Sequence, residues 1–462
     1  MSNTRFRART IGLIIAEATI IFGGVIMALY LRVGAHDASY ELNERYGWYK
    51  AVFATVICMI ALYLYDLYDY TVMNNRRELL LRLMQAFGIA WAVLALLFYA
   101  VPFLLIGRGV SLISVPLVMF LLLIWRLIVH SLTGHPDIGE KVLIVGSGKT
   151  AIDTAKVVLD RRDAGYRVVG FLSSEQEQIG KSLVNPKVIG LMDELEEIVK
   201  RERVDRIVVA IRDRRGNFPT DKLLHLSLSG DVNIEECTSF YERITGQVNL
   251  EMVRPSWLIF AGRGRDTRLV TFFREMIHRG LALIGLALSL PIAVLTAILI
   301  KLESPGPIFY RQERVGKHGH IFKVIKFRSM RMDAEKDGPV WAKNNDDRVT
   351  RIGKIIRLIR VDEIPQFWNI IKGEMNFVGP RPERPHFVEQ LAEEIPLYEQ
   401  RHLVAPGLTG WAQIKYPYGA SVDDAKQKLQ YDLYYIKNQS LALDLIIVFE
   451  TIKIVLFGKG AR

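Results

Sequence analysis

Two adjacent carboxylates, Asp362 and Glu363, close a segment in which cations alternate with isoleucine. Arg351, Lys354, Arg357 and Arg360 recur at every third position among Ile352, Ile355, Ile356 and Ile359. Pro365 follows, and then Lys372-Gly-Glu-Met-Asn-Phe-Val-Gly-Pro-Arg-Pro382 places Arg381 between two prolines. Paired acids among so many cations suit a site that handles phosphates and a metal: cations neutralise phosphate charge, and a carboxylate can then act as nucleophile or metal ligand. A second reading stays open, because acids just ahead of a proline also suit the first turn of a helix. For Arg381, the prolines restrict the loop and lower the entropy lost in holding a guanidinium on a ligand; the alternative is an ion pair with one of the protein's own acids. The basic, isoleucine-rich segment reads as an interfacial helix drawn to anionic lipid, at ~1 kcal/mol per basic residue near the surface. His318 and His320 lack a third ligand nearby in sequence and are not read as a metal site.

The same region carries a long apolar stretch with a proline at its centre, which points to chemistry at a membrane face, and the first third of the chain reads as membrane too. Four apolar runs, 11–31, 51–65, 83–106 and 109–130, approach or exceed the ~20 residues that cross ~30 Å of hydrocarbon. The first is too long for a signal-peptide core and is expected to stay as an anchor. Arg5, Arg7 and Arg9 precede it, and Arg76, Arg77 and Arg82 lie between the second and third runs. The other loops hold Arg32, Arg45 and Lys50, offset by Asp37, Glu41 and Glu44, and the lone Arg108. That bias places the N-terminus, and after four crossings everything beyond about residue 130, in the cytoplasm. Glu17 and Arg126 sit in or near spans, where pairing between helices competes with a functional role.

From 141 the pattern alternates strand and helix. Strands are expected at 141–145, 167–172, 206–211 and 231–234, with helices at 149–161, 191–202 and 222–229, which describes a doubly wound α/β domain. Gly146-Ser-Gly-Lys-Thr-Ala151 falls at the first strand-to-helix turn, where Gly146 and Gly148 would let backbone amides approach a pyrophosphate. The second strand runs into Ser173 and Ser174, not into an acid for a ribose. A structural or regulatory domain that kept its turn fits this better than a working nucleotide site. Arg263, Arg265 and Arg268 mark an expected hinge.

The segment 280–300 is apolar and long enough to span, yet it holds Pro291 at its centre and is flanked by Arg279 and Lys301. A crossing here would carry Asp362 and Glu363 to the outer face. A helix over 278–302 that enters and returns to one face, broken at Pro291, avoids this; simple spanning is the alternative.

From about Phe272 onward the chain resembles the monotopic polyprenyl-phosphate phosphoglycosyl transferases of bacterial polysaccharide and glycoconjugate assembly. The matching stretches are Ser304-Pro-Gly-Pro-Ile-Phe-Tyr-Arg-Gln312, Phe322-Lys-Val-Ile-Lys-Phe-Arg-Ser-Met330, Asp362-Glu-Ile-Pro-Gln-Phe-Trp-Asn369, the 372–382 stretch, Pro406-Gly-Leu-Thr-Gly-Trp-Ala-Gln413 and Tyr431-Asp-Leu-Tyr-Tyr-Ile-Lys-Asn438. The family's basic pair and Asp ahead of the re-entrant helix have no clean counterpart; Arg274 and His278 occupy that region, and Ala405 stands where a basic residue often precedes Pro-Gly. The four runs and the α/β domain resemble the large, initiating members of that family.

The resemblance implies transfer of a sugar 1-phosphate from a UDP-sugar to undecaprenyl phosphate, initiating exopolysaccharide or glycoconjugate assembly. It implies that Asp362 attacks the sugar-bearing phosphate, forming a phosphosugar-aspartyl enzyme and releasing UMP. Glu363 would act beside it and hold Mg2+. Arg381, Lys326, Arg328, Arg357 and Arg360 would bind the substrate phosphates. The fold class that follows is membrane α plus α/β: four transmembrane helices (1–135), a doubly wound Rossmann-like domain (136–262) and an α-rich monotopic catalytic domain (272–462) with a re-entrant helix. Its place would be the bacterial inner membrane, with the catalytic part on the cytoplasmic face.

Composition agrees with a membrane-bound enzyme of anionic substrates. The 462-residue chain is 50% apolar with a net charge of +11, a pI near 9.4 and a mean hydropathy of +0.18. Membrane lipids and phosphorylated substrates account for that charge, and no nucleic-acid motif accompanies it. Cys58 and Cys237, the only cysteines, give neither a disulfide framework nor a thiolate metal site. A membrane-bound NAD-dependent nucleotide-sugar dehydratase would need a Tyr-x-x-x-Lys pair, and from Tyr310 onward no tyrosine has lysine four residues later. A non-enzymatic regulator of polysaccharide export is the other alternative. The identity of the sugar, and the choice between a monomer and a homo-oligomer, are left open.

Overall fold

A computed structural model describes residues 3–68, 76–101, 103, 107–133, 139–161, 164–211, 218–230, 232–252, 268–334, 346–417, 419 and 421–457. The chain divides into two compact units, Met1–Glu236 and Cys237–Arg462.

The first unit opens with helices α1 (Asn3–Val33), α2 (Ala35–Asn43), α3 (Gly47–Leu64), α4 (Arg76–Ala100) and α5 (Arg108–Thr133). All but α2 contain stretches long and apolar enough to cross a membrane, by length and composition. Ile21, Leu62, Leu83, Phe87 and Leu122 meet in a core between them. Their outward faces stay apolar, as at Leu96, Leu112 and Phe120, the pattern of helices whose surroundings are hydrocarbon rather than water. Within this bundle Arg126 and Glu17, both buried, pair at 2.8 Å, and Arg126 Nη1 donates to the carbonyl of Leu67 at 2.7 Å. Pairing between α1 and α5 is therefore what these two charges do.

Then follow β1 (Glu140–Val145), α6 (Lys149–Asp160), β2 (Tyr166–Ser173), β3 (Val188–Leu191), α7 (Leu195–Glu202), β4 (Arg206–Val209), α8 (Thr220–Ser229) and β5 (Asn233–Glu236). The five strands form one parallel sheet in the order β3-β2-β1-β4-β5, the doubly wound arrangement expected from apolar runs alternating with amphipathic ones. Leu143, Val145, Leu172, Leu195, Ile198 and Ile207 fill one side of it. The short β3 escaped the sequence reading: the helix expected from 191 begins at Leu195, because Val188–Leu191 pairs with β2 first.

The second unit begins at α9 (Cys237–Thr245), which packs with the C-terminal module: Val248 N donates to Gln430 O at 3.0 Å and Trp411 Nε1 to Gly246 O at 2.6 Å. The expected domain boundary at 262 thus differs from the division after Glu236. The hinge at Arg263 and Arg265 lies outside the described residues. Helix α10 (Arg268–Glu303) follows, then the antiparallel hairpin β6 (Phe309–Val315) and β7 (Ile321–Phe327). Next come α11 (Arg351–Leu358), a 3-10 turn at Val361–Glu363, α12 (Gln366–Lys372), β8 (Asn376–Val378), α13 (Pro385–Glu394), β9 (Gly407–Thr409), α14 (Trp411–Lys415), α15 (Val422–Lys437) and α16 (Leu441–Phe457). This part is rich in helix, with β8 and β9 forming a second, parallel pair. Pro291 lies inside α10, which is helical on both sides of it.

Candidate active site

Asp362 and Glu363 occupy the 3-10 turn between α11 and α12. Arg360, at φ 59°, turns the chain out of α11 and into it. Helix α11 starts where Thr350 accepts from Gly353 N at 2.9 Å, and Gly353 lies so close to the backbone of Ser329 that no side chain would fit. Behind the turn, Val361 packs with Ile300, Phe327 and Ile356. Both acids are held in place from inside, 7% and 9% exposed, and no side-chain cap bond forms at the start of α12. The capping alternative therefore does not account for the pair.

The cations gather on Glu363. Its Oε1 accepts from Arg381 Nη2 at 2.7 Å and from Lys326 Nζ at 3.2 Å, while Arg360 Nη1 stands 3.7 Å from Oε2. Lys326 comes from β7, where it faces Tyr310 of β6. The Arg381 ion pair with an acid of its own protein is thus real, and it lies inside the site rather than away from it. Arg357 donates from Nε to Ser329 Oγ at 2.9 Å. Arg328 does different work: its guanidinium donates to Pro305 O and Ser304 O, each at 2.8 Å, bracing the turn after α10. Asp362, Glu363, Lys326, Arg360 and Arg381 come together, with Arg357 beside them.

Several residues that hold this arrangement were not singled out by sequence. Asn369, fully buried on α12, accepts from Ile325 N at 3.1 Å and donates to Lys323 O at 2.8 Å. It thereby ties the strand carrying Lys326 to the helix that follows the acid pair. Arg401 donates to Arg381 O at 3.0 Å and to Asp432 at 2.9 Å, fixing the Pro-Arg-Pro loop. Asp444 of α16, also unnamed by sequence, meets Arg274 and His278 of α10, which the sequence did single out, at 2.6 and 3.2 Å. Asn369 and Asp432 lie inside quoted motifs, so the motifs held the signal; Arg401 lies in none.

Burial and neighbours drive the two carboxyls apart. Burial first, and then the charge of Glu363, push Asp362 up from its ordinary value to about 6, against the pull of Lys326, Arg357 and Arg360. Burial would raise Glu363 too, yet Arg381, Lys326 and Arg360 together hold it well below the usual carboxylate range. Lys326 is lowered by burial, with Glu363 opposing, and the Arg381 guanidinium is raised chiefly by Glu363. One carboxylate is fully committed to cations. The other carries none of these ion pairs.

Among the described residues no group of three or more His, Cys, Asp or Glu side chains could enclose a metal. Glu363 already accepts from Arg381 and Lys326, so a magnesium ion there would have to share or displace those cations and draw its other oxygen ligands from outside the pair.

The family described as bacterial sugar transferase matches residues 269–458, and the family described as CoA-binding domain matches 63–216. A UDP-N-acetylgalactosamine-undecaprenyl-phosphate N-acetylgalactosaminephosphotransferase of Aeromonas hydrophila is 41% identical over 260 residues, 56% of this chain and 61% of that protein. The UDP-glucose:undecaprenyl-phosphate glucose-1-phosphate transferase of Xanthomonas campestris is 30% identical over 339 residues, 72% of this chain and 69% of its own. The chain belongs to the bacterial sugar transferases. Its layout, with apolar helices and a parallel-sheet domain ahead of the sugar-transferase region, is that of the large polyprenyl-phosphate phosphoglycosyl transferases. The match covers less than two thirds of the Aeromonas relative. In this transferase the parallel-sheet domain keeps its glycine turn. Gly146 has φ +123°, and a Cβ there would stand 3.1 Å from Ala210 O. Gly148 caps α6 without a side-chain bond. Ser173, at the end of β2, instead accepts from Glu175 N at 3.1 Å and donates to Gln178 at 3.0 Å.

Proposed function

We propose that the chain transfers a sugar 1-phosphate from a UDP-sugar to undecaprenyl phosphate in two steps through Asp362, at the cytoplasmic face of a bacterial inner membrane. The observation that carries this reading is the split acid pair: a buried, uncommitted Asp362 beside a Glu363 that collects Lys326, Arg360 and Arg381. In the first step a carboxylate oxygen of Asp362 bonds to the sugar-bearing phosphorus. The bond from that phosphorus to the UMP oxygen breaks, and the electron pair leaves with UMP. In the second step an oxygen of undecaprenyl phosphate attacks the same phosphorus and returns the carboxylate. Neither step needs a proton transfer.

The chain's residues supply position and charge. Lys326, Arg357, Arg360 and Arg381 offer positive charge to the diphosphate, and phosphoryl transfer depends mainly on such charge stabilisation. The Arg401 bond to the Arg381 carbonyl keeps one of those cations in register. Magnesium, if bound at Glu363 and the substrate phosphates, would neutralise further negative charge on the diphosphate.

The contacts of α10 support a helix that returns to one face. Straight, its 36 residues would extend about 54 Å, yet the same polar module touches it at both ends. Arg274 and His278 contact Asp444 near the start, and Glu303 accepts from Ile352 N at 3.1 Å near the end. Between them, Ala282 packs with Ile370, and Ile300 with Val361. A simple crossing of ~30 Å of hydrocarbon would have to part these ends.

The test is to incubate the full chain with UDP-sugars radiolabelled in the sugar phosphate, without acceptor lipid, and to isolate the labelled protein. Label retained on wild type and absent from Asp362→Asn is expected, with UMP formed in equal amount. Product made at the wild-type rate by Asp362→Asn would remove the covalent route.

A further inference from the structure

Helix α12 carries two buried side-chain amides, and they stand in opposite conditions. Asn369 is satisfied at both ends: besides its bonds to Ile325 N and Lys323 O, its Nδ2 reaches Glu374 Oε2 at 2.6 Å. It pairs with the open edge of β7 as a neighbouring strand would and so fixes the helix. Gln366 is 4% exposed, and its buried Nε2 has no hydrogen-bond partner among the described residues. Buried donors are nearly always paired, because one stripped of water and given nothing in return is costly. A methionine would fill the same volume without that penalty. With Asn369 pinning α12, the helix cannot shift to find Gln366 a partner within the protein.

The position of Gln366 says what the missing partner is. It follows Asp362 by four residues and Glu363 by three. Successive bonds from Glu363 N to Arg360 O, Ile364 N to Val361 O, Phe367 N to Ile364 O and Trp368 N to Pro365 O make this stretch one continuous helical path. On a path closed by bonds three residues apart, position i+3 stands over position i. The unpaired donor therefore lies on the Glu363 side of the acid pair, with Asp362 the next residue along.

We propose that Gln366 contacts the substrate: its Nε2 donates to a non-bridging oxygen of the phosphoryl group taken up by Asp362. This rests on the reading of Asp362 as nucleophile. As the Asp362 oxygen bonds to phosphorus and UMP departs with its electron pair, charge is spread over the non-bridging oxygens, and a fixed donor there favours the transition state. A neutral amide suits this place better than another cation. It can donate to the phosphoryl oxygens without forming an ion pair with Asp362, which must stay free to attack.

The experiment uses the full chain in lipid nanodiscs, with the donor that wild type turns over best from a panel including UDP-N-acetylgalactosamine and UDP-glucose. Adduct formation without acceptor lipid, KM for the donor and Tm are measured for Gln366→Met and Gln366→Glu. Gln366→Met is expected to slow adduct formation by about 10²–10³-fold, the usual effect of losing one such donor. KM should move little, and Tm should hold or rise, because the lost group had no partner to forfeit. Gln366→Glu keeps the shape but adds a third carboxylate and is expected to be slower still. An adduct rate within about threefold of wild type for Gln366→Met, against that expectation, overturns the proposal. So does a Tm that falls together with activity, the mark of a packing role. Asp362→Asn run in parallel separates the two ideas: adduct formed by that variant defeats the nucleophile assignment, whereas an inert Asp362→Asn beside a fast Gln366→Met defeats only the role of Gln366.

Discussion

On the proposed two-step reaction, the raised carboxyl of Asp362 should make the first half-reaction sensitive to pH in a range where an ordinary aspartate would be silent. Burial and the adjacent Glu363 lift it from 3.8 to about 6, and only the ionised form can attack phosphorus. With a pKa near 6 the carboxylate is about 99% ionised at pH 8 and about a tenth ionised at pH 5, so adduct formation should fall roughly tenfold per unit below pH 6. An aspartate near 3.8 would lose almost nothing over that interval. The assay is the rate of labelling by UDP-sugar without acceptor lipid, since a phosphate monoester also titrates near pH 6 and would blur the second step. Glu363 stays ionised throughout, because its cations hold it low; its contribution to folding is present above the ordinary glutamate range and is lost only as pH falls through its depressed value. Glu363→Gln should shift the acid limb of any residual labelling downward. It removes the repelling charge and leaves Lys326 and Arg381 to favour an ionised Asp362. A wild-type limb at or below pH 4, or a limb in Glu363→Gln that moves upward, would refute this account of the pair.

Asn369→Leu should destabilise the C-terminal unit by about 2–4 kcal/mol, by stranding the Ile325 amide and the Lys323 carbonyl in a dry interior; thermal unfolding in detergent checks this, and an unchanged Tm would show that the bridge is dispensable. Glu17→Gln leaves Arg126 buried without its counter-charge and should cost about 3 kcal/mol, read as a lowered Tm of the full chain that Arg126→Met in the same protein partly restores. On α11, Ile355 and Leu358 are 60% and 64% exposed beside Lys354 and Arg357. Leu358→Glu should therefore slow transfer to undecaprenyl phosphate in anionic nanodiscs several-fold more than it slows adduct formation, since a carboxylate on an interfacial face repels the headgroups.

The elements whose environment is uniform along their length were legible in the sequence. Apolar runs gave the four N-terminal helices, and Val142 to Val145 and Ile207 to Val209, buried without interruption, gave strands of a parallel sheet. Where a segment is short and its partner remote, local pattern carried too little: β3 has four residues and exists because β2 offers it an edge. The same limit applies at the site. The acid pair announced itself through the cations in its own segment, and the motifs named Lys326 and Arg381. No spacing, however, says that both converge on Glu363 rather than on Asp362, or that Arg328 turns instead to Ser304 and Pro305. Those choices are made by the β6–β7 hairpin and the Pro-Arg-Pro loop, whose neighbours in space lie far off in sequence.

What most distinguishes the site is that two neighbouring carboxylates of nearly equal intrinsic acidity are made unequal by where the cations stand. If Lys326, Arg360 and Arg381 were shared evenly, both acids would be ionised, ion-paired and poor nucleophiles. Concentrating them on Glu363 leaves Asp362 desolvated and without a committed partner, which raises both its pKa and its readiness to bond to phosphorus. The arrangement also keeps the cations on hand: held by Glu363 before the diphosphate arrives, they are already oriented when it does, so little reorganisation is needed as charge develops. Long-range ties then become part of the chemistry. Asn369 ties the strand of Lys326 to α12 and Arg401 holds the backbone of Arg381, so on the proposed reaction a substitution at either should alter the rate by changing which acid the cations choose.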